Sequence, residues 1–275
     1  MLSSPFLAAK RAFLFILLTA VCAPLQAVLR WIGGRAQTSL PRWYHKKALQ
    51  CLGVALDVKG RKSTVKPTLF VSNHISYLDI PVLGSLIPGC FVAKAEIADW
   101  PIFGMLAKLQ NSIFVDRRAS RAAEQRDEIN RYLNRGDNLV IFAEGTSGDG
   151  NRVLPFKSSL LSVAEQRPGG QPLTVQPVSI CYRLLDDIPM GRYLRPYFAW
   201  FGDMELASHV WEAIGLGRVT VEVIFHEPVT IEQLGGRKQL ARYCQERVAE
   251  GVASGLTGQP LSIDKASQSL NKEAA

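Results

Sequence analysis

An apolar run, Leu69-Phe70-Val71, stops at Ser72-Asn73-His74, and a carboxylate, Asp79, follows five positions after the histidine. A histidine whose ring N–H is held by a carboxylate is an oriented general base. The carboxylate fixes the tautomer and stabilises the imidazolium formed when the other nitrogen takes a proton. On one straight helix the two side chains would diverge by about 140°, because each residue turns about 100°. They meet only where His74 precedes the helix and Asp79 stands in its first turn. Ser76-Tyr77-Leu78-Asp79 has the S-x-x-D form of a capping box, so helix capping and a His–Asp dyad are compatible readings of the same residues.

Two more clusters follow apolar runs: Phe114-Val115-Asp116-Arg117 and Phe142-Ala143-Glu144-Gly145-Thr146. In an open parallel sheet, ligands bind beyond the carboxyl ends of the strands. A base, a cation and a carboxylate are then expected in one cleft. A serine nucleophile would need a G-x-S-x-G elbow, and Gly145-Thr146-Ser147-Gly148-Asp149 has a different spacing. The expected nucleophile is a hydroxyl brought by the substrate. The four histidines and five cysteines are scattered, without H-E-x-x-H or C-x-x-C spacing, so neither a metal site nor a disulfide framework is expected.

The elements that must position these residues are legible as apolar runs of strand length: Val54–Val58, Thr68–Ser72, Cys90–Lys94, Ser112–Asp116, Asn138–Ala143, Leu173–Ile180 and Val219–Phe225. Helical stretches lie between several of them. Ala119–Arg135 is polar with apolar residues near helical spacing, and Gly136 follows as a stop. The alternation predicts an α/β fold, a mostly parallel sheet flanked by helices. Hydrophobic content of 47% and charged content of 20% exclude a disordered chain and a polytopic membrane protein.

Ahead of the α/β body, residues 12–29 are uncharged and apolar apart from Thr19, Pro24 and Gln26. This length is borderline for spanning about 30 Å of hydrocarbon. Residues 1–62 hold ten Lys/Arg against one acid, Asp57, whereas the rest has 22 basic and 23 acidic residues, so the net charge of +8 belongs to the N-terminal segment. Arg30, Arg35, Arg42, Lys46 and Lys47, interleaved with Trp31, Trp43 and Tyr44, suit anionic headgroups and argue against translocation and cleavage. The expected organisation is a membrane-anchoring helical segment at 1–40, spanning once or split by Pro24 into shallow helices. An enzymatic body at 41–255 and a flexible tail at 256–275 follow. Hydrophobic stretches 80–90 and 100–104 read as core.

Asn73-His74 with Asp79, Phe114-x-x-Arg117, Phe142-x-Glu144-Gly145-Thr146 and Val175-x-Pro177-Val178 resemble, in this order, the four motifs of the glycerolipid acyltransferases, the 1-acylglycerol-3-phosphate acyltransferase superfamily. The likeness covers roughly residues 40–235. It implies transfer of an acyl group from acyl carrier protein or coenzyme A to a lysolipid hydroxyl at the cytoplasmic face of a bacterial inner membrane, without a resident cofactor. It implies His74 as base and Asp79 as its orienter, with Asn73, Phe114, Arg117, Glu144, Gly145 and Thr146 binding substrate.

Three positions depart from the common pattern: Asn111, Ala143 and Ser147, the last where arginine is usual. Serine cannot replace a bidentate anion contact. Residues 147–158, Met190-Gly191-Arg192-Tyr193 and Trp200-Phe201-Gly202-Asp203 look instead like the bacterial lyso-ornithine lipid O-acyltransferase branch, whose acceptor carries a carboxylate and an amine that Arg152 and Asp149 would suit. The alternative within the family is synthesis of phosphatidic acid. A membrane-tethered lipid hydrolase would use the same dyad on water. A nucleic-acid-binding module is not expected, because the basic charge lies outside the body.

Overall fold

The computed structural model describes residues 3–34, 36–100, 103–115 and 122–259. The elements run α1 (Pro5–Ile32), α2 (Ala36–Leu52), β1 (Val54–Gly60), β2 (Thr68–Ser72), α3 (Asp79–Leu86), β3 (Gly89–Lys94), α4 (Phe103–Leu109), β4 (Ile113–Val115), α5 (Ala122–Asn134) and β5 (Asn138–Phe142). They continue with β6 (Thr174–Leu185), β7 (Ile188–Pro189), α6 (Leu206–Gly215), β8 (Val219–Phe225), β9 (Val229–Thr230), α7 (Ile231–Leu234) and α8 (Arg237–Thr257).

One mixed sheet has the strand order β1-β8-β6-β2-β5-β3-β4, with the short β7 and β9 paired to β6. Pairing is parallel from β6 through β2, β5 and β3 to β4, and between β1 and β8; it is antiparallel where β6 meets β8. The mostly parallel α/β sheet expected from the alternation is therefore present. All five residues of β2 are buried, as in a central parallel strand covered on both faces. Leu69 and Val71 join the apolar cluster that contains α8's Leu240 and Val248, while Phe70 points into the cluster with Val82 and Leu83 of α3. The period of two thus assigns the faces.

Chain order places the site. After β2 the chain passes through α3 to β3 and β4, and β5 then returns between β2 and β3, while β6 takes the opposite side of β2. The loops that leave the carboxyl ends of β2 and β5 are therefore neighbours, as at the crevice of an open α/β sheet. Ser72 O accepts from Ala143 N at 3.1 Å, closing the two strand ends together.

The N-terminal helices refine the expected organisation. Pro24 does not split α1, which is one helix of 28 residues. Helix α2 crosses the boundary expected at residue 40 and packs on both α1 and α3, because Ala48 and Leu49 form a buried face. Arg11 Nη1 donates to the carbonyls of Ile214, Leu216 and Gly217, at the C-terminal end of α6 where carbonyls lack helical partners. Gln26 Nε2 donates to Gln37 O and Leu109 O, and Arg30 donates to Lys108 O. Tied to the body at both ends, α1 exposes Phe6, Phe13, Leu17, Val21 and Val28 at helical spacing. At the other terminus α8 runs to Thr257, two residues into the segment expected to be a tail, and ends on Gly258 in the left-handed region. The tail from residue 260 lies outside the described residues.

Candidate active site

Asp79 is the first residue of α3 rather than the third residue after a serine cap. The shift leaves half of the capping box intact. The Asp79 carboxylate reaches back to Ser76 N at 2.9 Å, while Ser76 Oγ accepts only a long 3.4 Å bond from Leu78 N. The same carboxylate oxygen, Oδ2, accepts from Ile75 N at 2.6 Å and from His74 Nδ1 at 2.8 Å. Because a carboxylate only accepts, the ring proton sits on Nδ1, which leaves Nε2 as the basic nitrogen. Asp79 has no exposed side-chain surface, whereas the His74 side chain is 23% exposed, so the pair is buried on its supporting side and open on the other. Phe142, the last residue of β5, stacks on the imidazole with centroids 4.0 Å apart and planes at 16°.

Asn73 holds this loop in place. Its Nδ2 donates to Ile180 O at 3.0 Å and its Oδ1 accepts from Ile180 N at 2.8 Å, with 2% of the residue exposed. Asn73, expected to bind substrate, has both ends of its amide engaged by β6, and it fixes the backbone from which His74 projects.

The loop after β5 is bound to the His74 loop through backbone contacts, with Gly148 N donating to His74 O at 2.9 Å. Glu144 is 2% exposed and its Oε2 has no hydrogen-bond partner among the described residues. Burial pushes its carboxyl up to about 8, against the pull of the Leu154 and His74 backbone N–H groups, and the Asp79 charge adds to the rise. Gly145 takes a positive φ of 67°, and a side chain there would press on Lys157 and Leu160. Thr146 and Arg152 are exposed. Asp149 accepts from Asn151 N and Nδ2. Burial alone would raise Asp149, but the Asn151 contacts, then Arg152 and Arg192, hold its carboxyl below the usual range. Phe114 lies in β4, opposite Ala93 of β3; Arg117 falls outside the described residues.

Ser147 Oγ donates to Trp200 O, and Trp200 N donates to Ile75 O at 3.0 Å. The segment carrying Trp200 thus straps both site loops. The Trp200 indole meets Trp100 edge-on at 6.1 Å and lies 6.4 Å from Tyr77. Arg195, 9% exposed, donates to Asn151 Oδ1 and Met190 O and braces the same segment. Sequence reading missed Arg195 and also Tyr182, whose hydroxyl donates to Asp79 Oδ1 at 2.9 Å. A tyrosine in an apolar strand carries no signal of its own, and β6 runs five residues past the end expected for it at Ile180. A shallow groove lined by Phe156, Ser158, Lys238, Ala241, Arg242 and Gln245 shares no residue with this cluster.

Residues 55–181 match a family model described as Acyltransferase. The chain is 41% identical over 226 residues to a lyso-ornithine lipid O-acyltransferase of Brucella abortus (strain 2308), covering 81% of this chain and 85% of that one. It is 37% identical over 257 residues to a lyso-ornithine lipid O-acyltransferase of Rhizobium meliloti (strain 1021), covering 92% and 88%. Among solved structures, the 1-acyl-sn-glycerophosphate (LPA) acyltransferase PlsC from Thermotoga maritima has the same fold, with a TM-score of 0.64 at 22% identity over 90% of this chain and 94% of that one.

Proposed function

The chain belongs to the 1-acylglycerol-3-phosphate acyltransferase family and is an O-acyltransferase of lysolipids, and from that premise we propose that its acceptor is lyso-ornithine lipid and that His74 and Asp79 perform the transfer. His74 Nε2 takes the proton of the acceptor hydroxyl as that oxygen attacks the carbonyl carbon of the acyl thioester. The new C–O bond forms, the C–S bond breaks as the tetrahedral intermediate collapses, and the imidazolium gives its proton to the departing thiolate. The thioester is already activated, so the chain needs no covalent acyl intermediate and no resident cofactor. The donor is acyl carrier protein or coenzyme A thioester.

One observation carries the chemistry: Nδ1 of a half-open imidazole is held at 2.8 Å by a fully buried carboxylate. The acceptor assignment is supported by near full-length likeness to lyso-ornithine lipid O-acyltransferases. It also agrees with Ser147, whose hydroxyl is engaged by Trp200 rather than free for a phosphate. Asp149 beside Arg152 and Arg192 offers both signs of charge to a zwitterionic headgroup. Glu144, Gly145 and Thr146 line the acceptor side, with Phe114 of β4 contributing; Arg117 is assigned to the acceptor on the motif resemblance alone. The protein associates with membrane; its apolar α1 stripe and the basic residues near Trp31 and Trp43 favour the cytoplasmic face of a bacterial inner membrane.

The test is acyl transfer by the purified full chain from radiolabelled acyl carrier protein thioester, with lyso-ornithine lipid and lysophosphatidic acid offered in parallel. Higher kcat/KM on lyso-ornithine lipid is expected. Preference for lysophosphatidic acid overturns the acceptor assignment while leaving the chemistry standing; release of free fatty acid without any acceptor overturns both in favour of a hydrolase.

A further inference from the structure

A carboxylate removed from water is stable only where its lone pairs find donors. Three donors converge on Oδ2 of Asp79: His74 Nδ1, Ile75 N and Ser76 N. All three come from the loop in which the dyad sits. The other oxygen, Oδ1, is met from a different part of the chain by the Tyr182 hydroxyl at 2.9 Å. Tyr182 is 1% exposed, and its ring stacks on Phe198 with centroids 6.1 Å apart and planes at 20°. The ladder between β6 and β8 shifts register between Tyr182 and Leu184, directly after the tyrosine.

The torsion that turns a carboxylate about its own axis is broad and roughly two-fold. Rotation about Cβ–Cγ moves both oxygens together, so the three donors on Oδ2 hold one edge of the carboxylate and a donor on Oδ1 restrains the other edge. From these contacts we infer that Tyr182 is a positioning residue for the transfer reaction, its hydroxyl locking the plane of Asp79 so that Oδ2 faces His74 Nδ1. This rests on the reading of His74 as general base. Tyr182 is buried and acts through Asp79, its hydroxyl also meeting the Ser76 side chain.

The hydroxyl also draws charge toward Oδ1. Without it, the negative charge concentrates on the oxygen that faces the imidazole, and the imidazolium is held more strongly. Burial, followed by the Asp79 charge, pushes the Tyr182 hydroxyl well above its ordinary range, so it stays a donor through any practical assay. Among the described residues, the other titratable groups facing the pair are Glu144 from the β5 loop and Tyr77 from the turn before α3.

The test is Tyr182→Phe, which keeps the ring and removes only the oxygen, assayed with the full chain beside wild type and His74→Ala from about pH 6 to pH 9. The expected result is a kcat about tenfold lower, with KM for the acceptor changed by less than about twofold, and an ascending limb of kcat/KM displaced to higher pH. A reduced yield of folded enzyme with an unmoved limb would assign Tyr182 a merely structural part and overturn the inference. If Tyr182→Phe does not fold, 3-fluorotyrosine placed at position 182 keeps the hydrogen bond and strengthens its donor. The ascending limb should then move to lower pH, and an unmoved limb overturns the inference. Activity retained by His74→Ala would instead remove the general-base reading, so the two failures are distinguishable.

Discussion

The loop after β2 and the loop after β5 leave neighbouring strands at the same sheet edge, yet they are built on opposite terms. In the first, the dyad and its support are densely paired: Asn73 is bonded at both ends of its amide, Asp79 accepts four donors, and His74 is clamped between Asp79 and Phe142. In the second, Glu144 keeps a buried oxygen without a partner among the described residues, while Thr146 and Arg152 face solvent. Proton transfer demands fixed geometry, because small displacements of a base cost rate steeply. Discrimination among acceptors demands groups that the right ligand satisfies and the wrong one leaves unpaired.

Breaking the paired loop should have the larger effects. His74→Ala removes the base and is expected to lower kcat by about 10²–10⁴ with the fold retained, as read by transfer assays alongside circular dichroism. Asn73→Ala leaves Ile180 N–H and C=O buried without partners. A stability loss of roughly 2–4 kcal/mol in urea denaturation is expected, together with lower kcat. If Asn73→Ala raises only the acceptor KM, Asn73 touches substrate after all and the contrast between the loops is drawn in the wrong place.

Legibility in the sequence follows the same division. Apolar runs and turn residues marked β2, β5 and β8 almost to the residue, because strands buried on both faces tolerate few polar side chains. The His74–Asp79 contact was legible because a histidine ahead of a helix and a carboxylate in its first turn can meet, although the stretch alone reads equally as a helix cap and only the later motifs together favoured the dyad. What sequence reading missed comes from long-range packing: Tyr182 and Arg195 act through partners 103 and 44 positions away, and nothing local distinguishes them from core. Asn73 shows the converse. Its presence in the motif was plain, but only the structure shows its amide turned into β6 rather than toward a ligand.

On the acceptor side, Ser147→Arg tests whether the open loop selects the headgroup. The substitution removes the hydroxyl that donates to Trp200 O and introduces a guanidinium beside Glu144 and Asp149. The ratio of kcat/KM for lyso-ornithine lipid over lysophosphatidic acid should fall by about tenfold, since a bidentate phosphate contact outweighs a lost neutral hydrogen bond. An unchanged ratio with both activities lowered equally would make Ser147 a strap for Trp200 with no part in selection.

The smallest effect sharpens the contrast most directly, because it reads the unpaired Glu144 oxygen without any substrate. Burial raises the folded-state Glu144 carboxyl to about 8, from an ordinary value of 4.5. Between those two values the folded chain holds a proton that the unfolded chain has released, so stability falls as pH rises through the window and the contribution is lost by about pH 8. Burial lowers His45 and His226 to about 4, so their contributions are present above about pH 6.5 and are lost on acidification below it. Between about pH 6.5 and 8, Glu144 is the one of these three groups whose contribution changes. Glu144→Gln keeps the shape and cannot titrate, and it should be less sensitive to pH than wild type by on the order of 1 kcal/mol across that interval, read as the change in urea midpoint. Equal slopes would mean that Glu144 ionises without penalty, and that the loop after β5 satisfies its polar groups as completely as the loop after β2.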